Sequence, residues 1–222
     1  MLMYLLFVIP PMLLALVAQG MVSSRYAQAS RRPASMTGAA AARMILDSAG
    51  LNYIEVQMIP GHLTDHYDPS AKVIRLSQDV YQGQTLAAVG IAAHESGHAI
   101  QDAKHYAPLV MTQFAWPLAS FGSNAAIWIL IAGAVLHIFG LILAGVVLFG
   151  IVALYQIVNL PVEYNASSRA KQQLATLGVV NESDMYYVRK VLGAAALTYV
   201  AAMLSALMTF LYYAMQILGS RD

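Results

Sequence analysis

Residues 92–100 read Ala-Ala-His-Glu-Ser-Gly-His-Ala-Ile. His94 and His98 stand four apart, and Glu95 follows the first. On a helix, positions i and i+4 share a face, so both imidazoles can reach one metal ion. Imidazole nitrogen suits zinc. Glu95 is turned about 100° away from His94, which aims it at a water on the metal rather than at the metal itself. Zinc lowers the pKa of such a water and a carboxylate takes its proton, which is the chemistry of carbonyl hydrolysis. Ala92, Ala93, Gly97 and Ala99 leave room beside the histidines, for a substrate chain or for ordinary helix packing.

Two ligands are too few. A catalytic zinc usually has three protein ligands and one open position, whereas a structural zinc has four. The chain has no cysteine, so His, Asp and Glu must supply the rest. Glu163, in "LPVEYNASSRA", is the first carboxylate after a long apolar stretch. The same glutamate also reads as a solvated charge in the first turn of a helix, where the dipole favours it. His62, Asp65, His66 and Asp68, in "HLTDHYDPSA", compete for the third place. Asp102 and His105 lie downstream on the histidine helix and are less well placed.

The surrounding elements follow from hydropathy. Of 222 residues 59% are hydrophobic and 10% charged, against about a quarter charged in a soluble domain. The apolar residues fall in runs long enough to span a bilayer. A net charge of +1 argues against a nucleic-acid partner. Residues 1–22 read as a retained transmembrane anchor; a signal peptide would begin with basic residues, and Pro10-Pro11 interrupts this run. Residues 107–161 hold no Lys, Arg, Asp or Glu. That is about two crossings, a helical hairpin turning near 133–137. His137 is its one titratable group besides tyrosine, which leaves little basis for an ion or proton path. Residues 162–190 form a polar section that opens with a helix, "EYNASSRAKQQLATLG", closed by Gly178, and 191–218 are a fourth crossing.

Residues 23–106 make the main polar section. A short helix starts at the N-cap Thr37 and stops at Gly50. "YIEVQMI" and "KVIRLS" read as strands. The histidine helix begins near Thr85. Basic residues cluster in 25–104 and 169–190, which the positive-inside rule places in the cytoplasm. Polar residues flank the histidine helix too closely for a bilayer centre. The site is therefore expected at the cytoplasmic membrane surface, unlike that of intramembrane site-2 proteases.

Four blocks, "PGHLTDHYDPSAKVIRLSQDVYQG", "AAHESGHAIQ", "LPVEYNASSRA" and "VLGAAALTYVAA", together resemble the YugP-type family of membrane-bound neutral zinc metallopeptidases. More distantly the layout is similar to HtpX and the CAAX prenyl proteases. The resemblance implies that His94, His98 and Glu163 bind one zinc ion and that Glu95 is the general base. HtpX-like enzymes carry an aspartate four residues after the third ligand, orienting the metal site; here Ser167 holds that position, with Asn165 nearby. A serine hydrogen-bonds a histidine but adds no charge. The resemblance also implies a substrate-binding edge strand at Thr64, Asp65, His66 and Tyr67, by strand addition. The alternative there is a polar surface loop. Tyr67, His66, Tyr164 and Tyr186 are candidates to stabilise the oxyanion.

The expected fold is a mostly α-helical integral membrane protein: four transmembrane helices and a small α+β zincin-like catalytic section on the cytoplasmic side of a bacterial inner or plasma membrane. The expected activity is zinc endopeptidase of the gluzincin type, with the lipid bilayer and peptide or membrane-protein substrates as partners. The rival is a membrane scaffold whose closed structural zinc takes His66 as a fourth ligand. Substrate identity and oligomeric state have no signature in the sequence.

Overall fold

Two threonines set the helices that build the polar section. Thr37 accepts a hydrogen bond from the Ala40 N–H and Thr85 one from Ala88, each satisfying a donor that a helix start leaves open. The computed structural model describes residues 2–219. Their elements are α1 (Leu2–Ser30), α2 (Gly38–Ser48), β1 (Glu55–Ile59), β2 (His66–Asp68), β3 (Val73–Ser77), α3 (Gln78–Tyr81), α4 (Leu86–Ala103), α5 (Ala107–Leu136), α6 (Phe139–Thr176) and α7 (Glu182–Gly219). The chain divides into two compact units, and α1, α5, α6 and α7 contribute to both.

One unit comprises Gln19–Leu109 and Val162–Ala196. Its sheet has the order β1-β3-β2, with β1 parallel and β2 antiparallel to β3. The central strand is buried on both faces in the pattern Val73, Ile74, Leu76, as a strand between two neighbours should be. Both strands expected from alternation are present, and β2 covers the His66-Tyr67 part of the expected edge strand. A core of Ile45 and Leu46 of α2, Ile74 and Leu76 of β3, Val89, Ala92 and Ala93 of α4, Leu174 of α6 and Val188 of α7 joins the sheet to the helices. Gly50 ends α2 at φ 72°, with the Leu51 N–H returning to the Leu46 carbonyl at 2.8 Å. That left-handed stop is one glycine adopts without strain.

The other unit comprises Met1–Ala18, Val110–Pro161 and Leu197–Asp222. Here small residues let helices approach: a Cβ on Gly122 would lie 3.1 Å from the Val152 side chain, and one on Gly150 3.0 Å from the Phe210 ring. Large apolar side chains stay outside, among them Phe114 at 90% exposure and Trp128 at 70%. Four helices are long and apolar enough to cross a membrane. The turn between α5 and α6 falls at His137, φ 54°, the end of the stretch expected from sequence.

One expectation is corrected. A helix was expected to start afresh after Pro161, with Glu163 in its first turn. Instead α6 runs unbroken through Pro161, and Glu163 lies in its interior. Likewise α7 continues across residue 190, and α1 passes Pro10-Pro11 to Ser30. Proline removes one helix donor and kinks a helix, but long apolar helices tolerate it when their surroundings hold the backbone. A change from apolar to polar side chains marks a change of surroundings, not an end of the helix.

Candidate metal centre

The centre is built by the middle of α4 against residues 162–176 of α6. Gly97 brings them together: a Cβ there would lie 2.5 Å from the Ala166 carbonyl oxygen. Ala166 and Ala170 are fully buried on the facing helix. Three residues before that contact and one after it, Glu163 and Ser167 reach the α4 histidines.

Three donor atoms converge. His94 Nε2 lies 3.2 Å from Glu163 Oε2 and 3.2 Å from His98 Nε2, and His98 Nε2 lies 3.6 Å from the same oxygen. Donors held about 2.0–2.1 Å from a tetrahedral zinc are about 3.3 Å from one another. The triangle therefore fits one zinc in size and in donor type. Among the described residues, this is the one group of three or more such side chains able to hold a metal. The rings meet edge to face, 85° between planes.

The outward ring nitrogens are occupied. His94 Nδ1 lies 3.2 Å from Ser167 Oγ, and His98 Nδ1 lies 3.0 Å from Gln101 Oε1. Gln101 is fully buried. Its Nε2 donates to the Val162 carbonyl at 2.8 Å and to Asn165 Oδ1 at 3.0 Å, and Arg169 Nε donates to Asn165 Oδ1 at 2.7 Å. Glu95 is buried at 8% exposure, and among the described residues no protein group hydrogen-bonds its carboxylate. A buried carboxylate without a protein partner next to a metal triad is arranged to meet a water or a substrate group. Burial alone would lower the His98 imidazole; its hydrogen bond to Glu163 and the charges of Glu95 and Glu163 outweigh that and raise it from 6.5 to about 9.

The competing third ligands are engaged elsewhere. Asp65 accepts from the Ser77 N–H at 2.7 Å and from its hydroxyl. Asp68 accepts from Ser70 and Ala71 N–H and from Arg75. His62 lies 3.3 Å from Asp79, and His66 Nδ1 lies 2.8 Å from the Thr64 carbonyl. Thr64 donates to the Pro60 carbonyl. Asp102 accepts from Tyr67 at 2.7 Å and from Lys72. His105 takes a left-handed conformation after α4, φ 49°.

The side chains of the expected substrate strand are not gathered at the metal triad. Tyr67 is buried, and its hydroxyl is tied to Asp102 on α4; burial first, then that carboxylate, push its pKa up. Its contact with α4 anchors β2 beside the histidine helix. Tyr164 and Tyr186 are about half exposed, and Tyr186 packs under Lys190. Of Asn165 and Ser167, only Ser167 reaches a histidine; Asn165 acts one link further out, through Gln101. Gln101 escaped the sequence reading, although its spacing of three from His98 places it on the same helix face.

A profile of the family described as "Putative neutral zinc metallopeptidase" matches residues 4–218. The chain is 43% identical over 207 residues to "Putative membrane protease YugP" of Bacillus subtilis (strain 168), covering 92% of each chain. No solved structure gives a significant match.

Proposed function

The chain belongs to the family of neutral zinc metallopeptidases, and on that premise we propose that it is a membrane-anchored endopeptidase cleaving peptide bonds at the cytoplasmic membrane surface. The observation that carries this is the triangle of His94, His98 and Glu163 donors at 3.2, 3.2 and 3.6 Å beside the buried Glu95, whose carboxylate takes no hydrogen bond from the described residues.

His94, His98 and Glu163 would hold one zinc ion, of the gluzincin pattern. When bound, zinc supplies Lewis acidity, making a water easier to deprotonate and a carbonyl easier to attack. Glu95 takes the proton of the attacking water and returns it to the departing amine. Ser167 and Gln101 hold the histidine rings by their Nδ1 atoms. The helix contact at Gly97 sets the spacing between the helices that carry these residues. Strand β2 lies at an edge of the sheet, where a substrate peptide would pair with it by strand addition. Thr64, Asp65 and His66 border that edge, whereas Tyr67 holds the strand to α4.

The membrane part of the reading is supported by the four long apolar helices and the exposed apolar side chains they carry. The cytoplasmic side follows from the cluster of basic residues in 25–104 and 169–190 under the positive-inside rule. Lipid and peptide or membrane-protein substrates are the partners this implies, in a bacterial plasma membrane. The closed-site scaffold reading needs a fourth protein ligand, and His66, its candidate, is turned to the Thr64 carbonyl.

The test is Glu95→Gln in the full-length protein. It should retain zinc and lose hydrolysis of membrane-protein or peptide substrates by at least about a hundredfold, as expected for general-base catalysis. Undiminished cleavage would reject Glu95 as the base.

A further inference from the structure

We infer that Arg169, Asn165 and Gln101 form a hydrogen-bond relay of fixed polarity that decides which nitrogen of His98 is offered to the metal, with Gln101 as a positioning residue. This rests on the proposed metal centre and goes beyond it, because none of these three side chains is itself a metal ligand or the base.

The polarity starts at Arg169. A guanidinium only donates, so the Asn165 atom 2.7 Å from Arg169 Nε is the amide oxygen. That oxygen also lies 3.0 Å from the Gln101 amide. It can only accept, so Gln101 presents its nitrogen there. The second proton of that nitrogen goes to the Val162 carbonyl at 2.8 Å. A carbonyl is an obligate acceptor, so two independent partners fix the same orientation of the Gln101 amide. Its oxygen is thereby turned to His98 Nδ1 at 3.0 Å and accepts from it. Nδ1 therefore carries a proton, and Nε2 is the ring position left for a metal. It is Nε2 that lies 3.6 Å from Glu163 Oε2 and 3.2 Å from His94 Nε2.

Gln101 does a second thing with the same bonds. Val162 and Asn165 flank Glu163 in sequence, so Gln101 grips the turn of α6 that carries the third ligand. One fully buried side chain thus couples the ring of His98 to the register of Glu163. His94 is held differently. Its Nδ1 partner is the Ser167 hydroxyl, which can donate or accept and imposes no polarity. The two histidines are therefore not equivalent: one is preset, the other adapts.

The experiment uses the full-length protein in detergent or nanodiscs, with two readouts besides activity: zinc affinity by competition with a chromophoric chelator, and the visible absorption spectrum of the cobalt-substituted protein. Gln101→Met, close in volume but without the amide, should bind zinc 10- to 100-fold more weakly and shift the cobalt bands. Asn165→Ala should lose less, and Arg169→Met least, because the Val162 carbonyl still orients Gln101. Ile45→Val, a core change on α2 away from the relay, should keep wild-type affinity and spectrum. A folded Gln101→Met with wild-type affinity and spectrum overturns the relay. Should Gln101→Met fail to fold, Asn165→Ala decides, and wild-type zinc affinity there overturns it equally. A wild-type chain that binds no zinc overturns the metal centre itself, which the variants' relative affinities would not do.

Discussion

Gly97 of α4 lies against the backbone of Ala166 of α6, so close that a Cβ on residue 97 would stand 2.5 Å from the Ala166 carbonyl oxygen. The neighbour is helical backbone, which cannot move aside as a side chain can. The contact sets the distance between two helices whose side chains must meet within a few ångströms. In an exposed helix interior, glycine to alanine stabilises by about 1 kcal/mol. Here the sign should reverse. Gly97→Ala should destabilise by about 1–3 kcal/mol, the usual cost of overpacking, and weaken zinc by at least about tenfold as Glu163 is pushed away. Thermal unfolding and chelator competition read the two effects. A stabilised variant with unchanged zinc affinity would refute the role given to this contact.

Ser167 holds the ring of His94. Its hydroxyl is 3.2 Å from His94 Nδ1. Ser167→Ala should weaken zinc about tenfold by freeing the ring. Ser167→Asp should tighten it beyond wild type, because a carboxylate makes the imidazole a more basic ligand. Chelator titration of both variants checks this, and a weaker-binding aspartate variant would contradict it.

Zinc and protons compete for His98. Without metal, its imidazole is raised from 6.5 to about 9, burial opposing and the hydrogen bond to Glu163 and the nearby carboxylates prevailing. A raised histidine stabilises the metal-free fold fully below about pH 6.5, and that contribution is lost as pH rises through about 9. Zinc binding must displace the Nε2 proton, so zinc affinity should climb with pH until about 9. Calorimetry at pH 7.5 in buffers of different ionisation enthalpy should find about one proton released per zinc. Affinity flat between pH 7 and 9 would contradict the arrangement.

Much of the centre was legible because its signals are local. The i, i+4 spacing of His94 and His98 needs only a helix, and the N-caps Thr37 and Thr85 mark where helices begin. Glu163 was reachable through topology, since an apolar hairpin returns the chain near its entry. What stayed hidden depends on contacts far apart in sequence. Gln101 meets Val162 and Asn165 across 61 and 64 residues, and a glutamine after two histidines carries no sign of that. Tyr67 read as a site residue because the family resemblance implied a substrate-pairing strand over residues 64–67; its burial against Asp102 is set by how β2 packs on α4. The helix ends were misplaced at Pro161 and near residue 190 because hydropathy reports surroundings, whereas helix continuity depends on backbone bonds that run across such a change.

The most direct measurement is the zinc content of purified full-length protein, wild type against Glu163→Ala. Two histidines one helical turn apart form at most a weak pair of ligands, and the carboxylate 3.2 Å from His94 and 3.6 Å from His98 completes the set. The wild type should hold about one zinc per chain, the number a three-ligand catalytic site takes, and Glu163→Ala should arrive largely empty after mild chelation. A Glu163→Ala protein that keeps a full complement of tightly bound zinc would contradict the account.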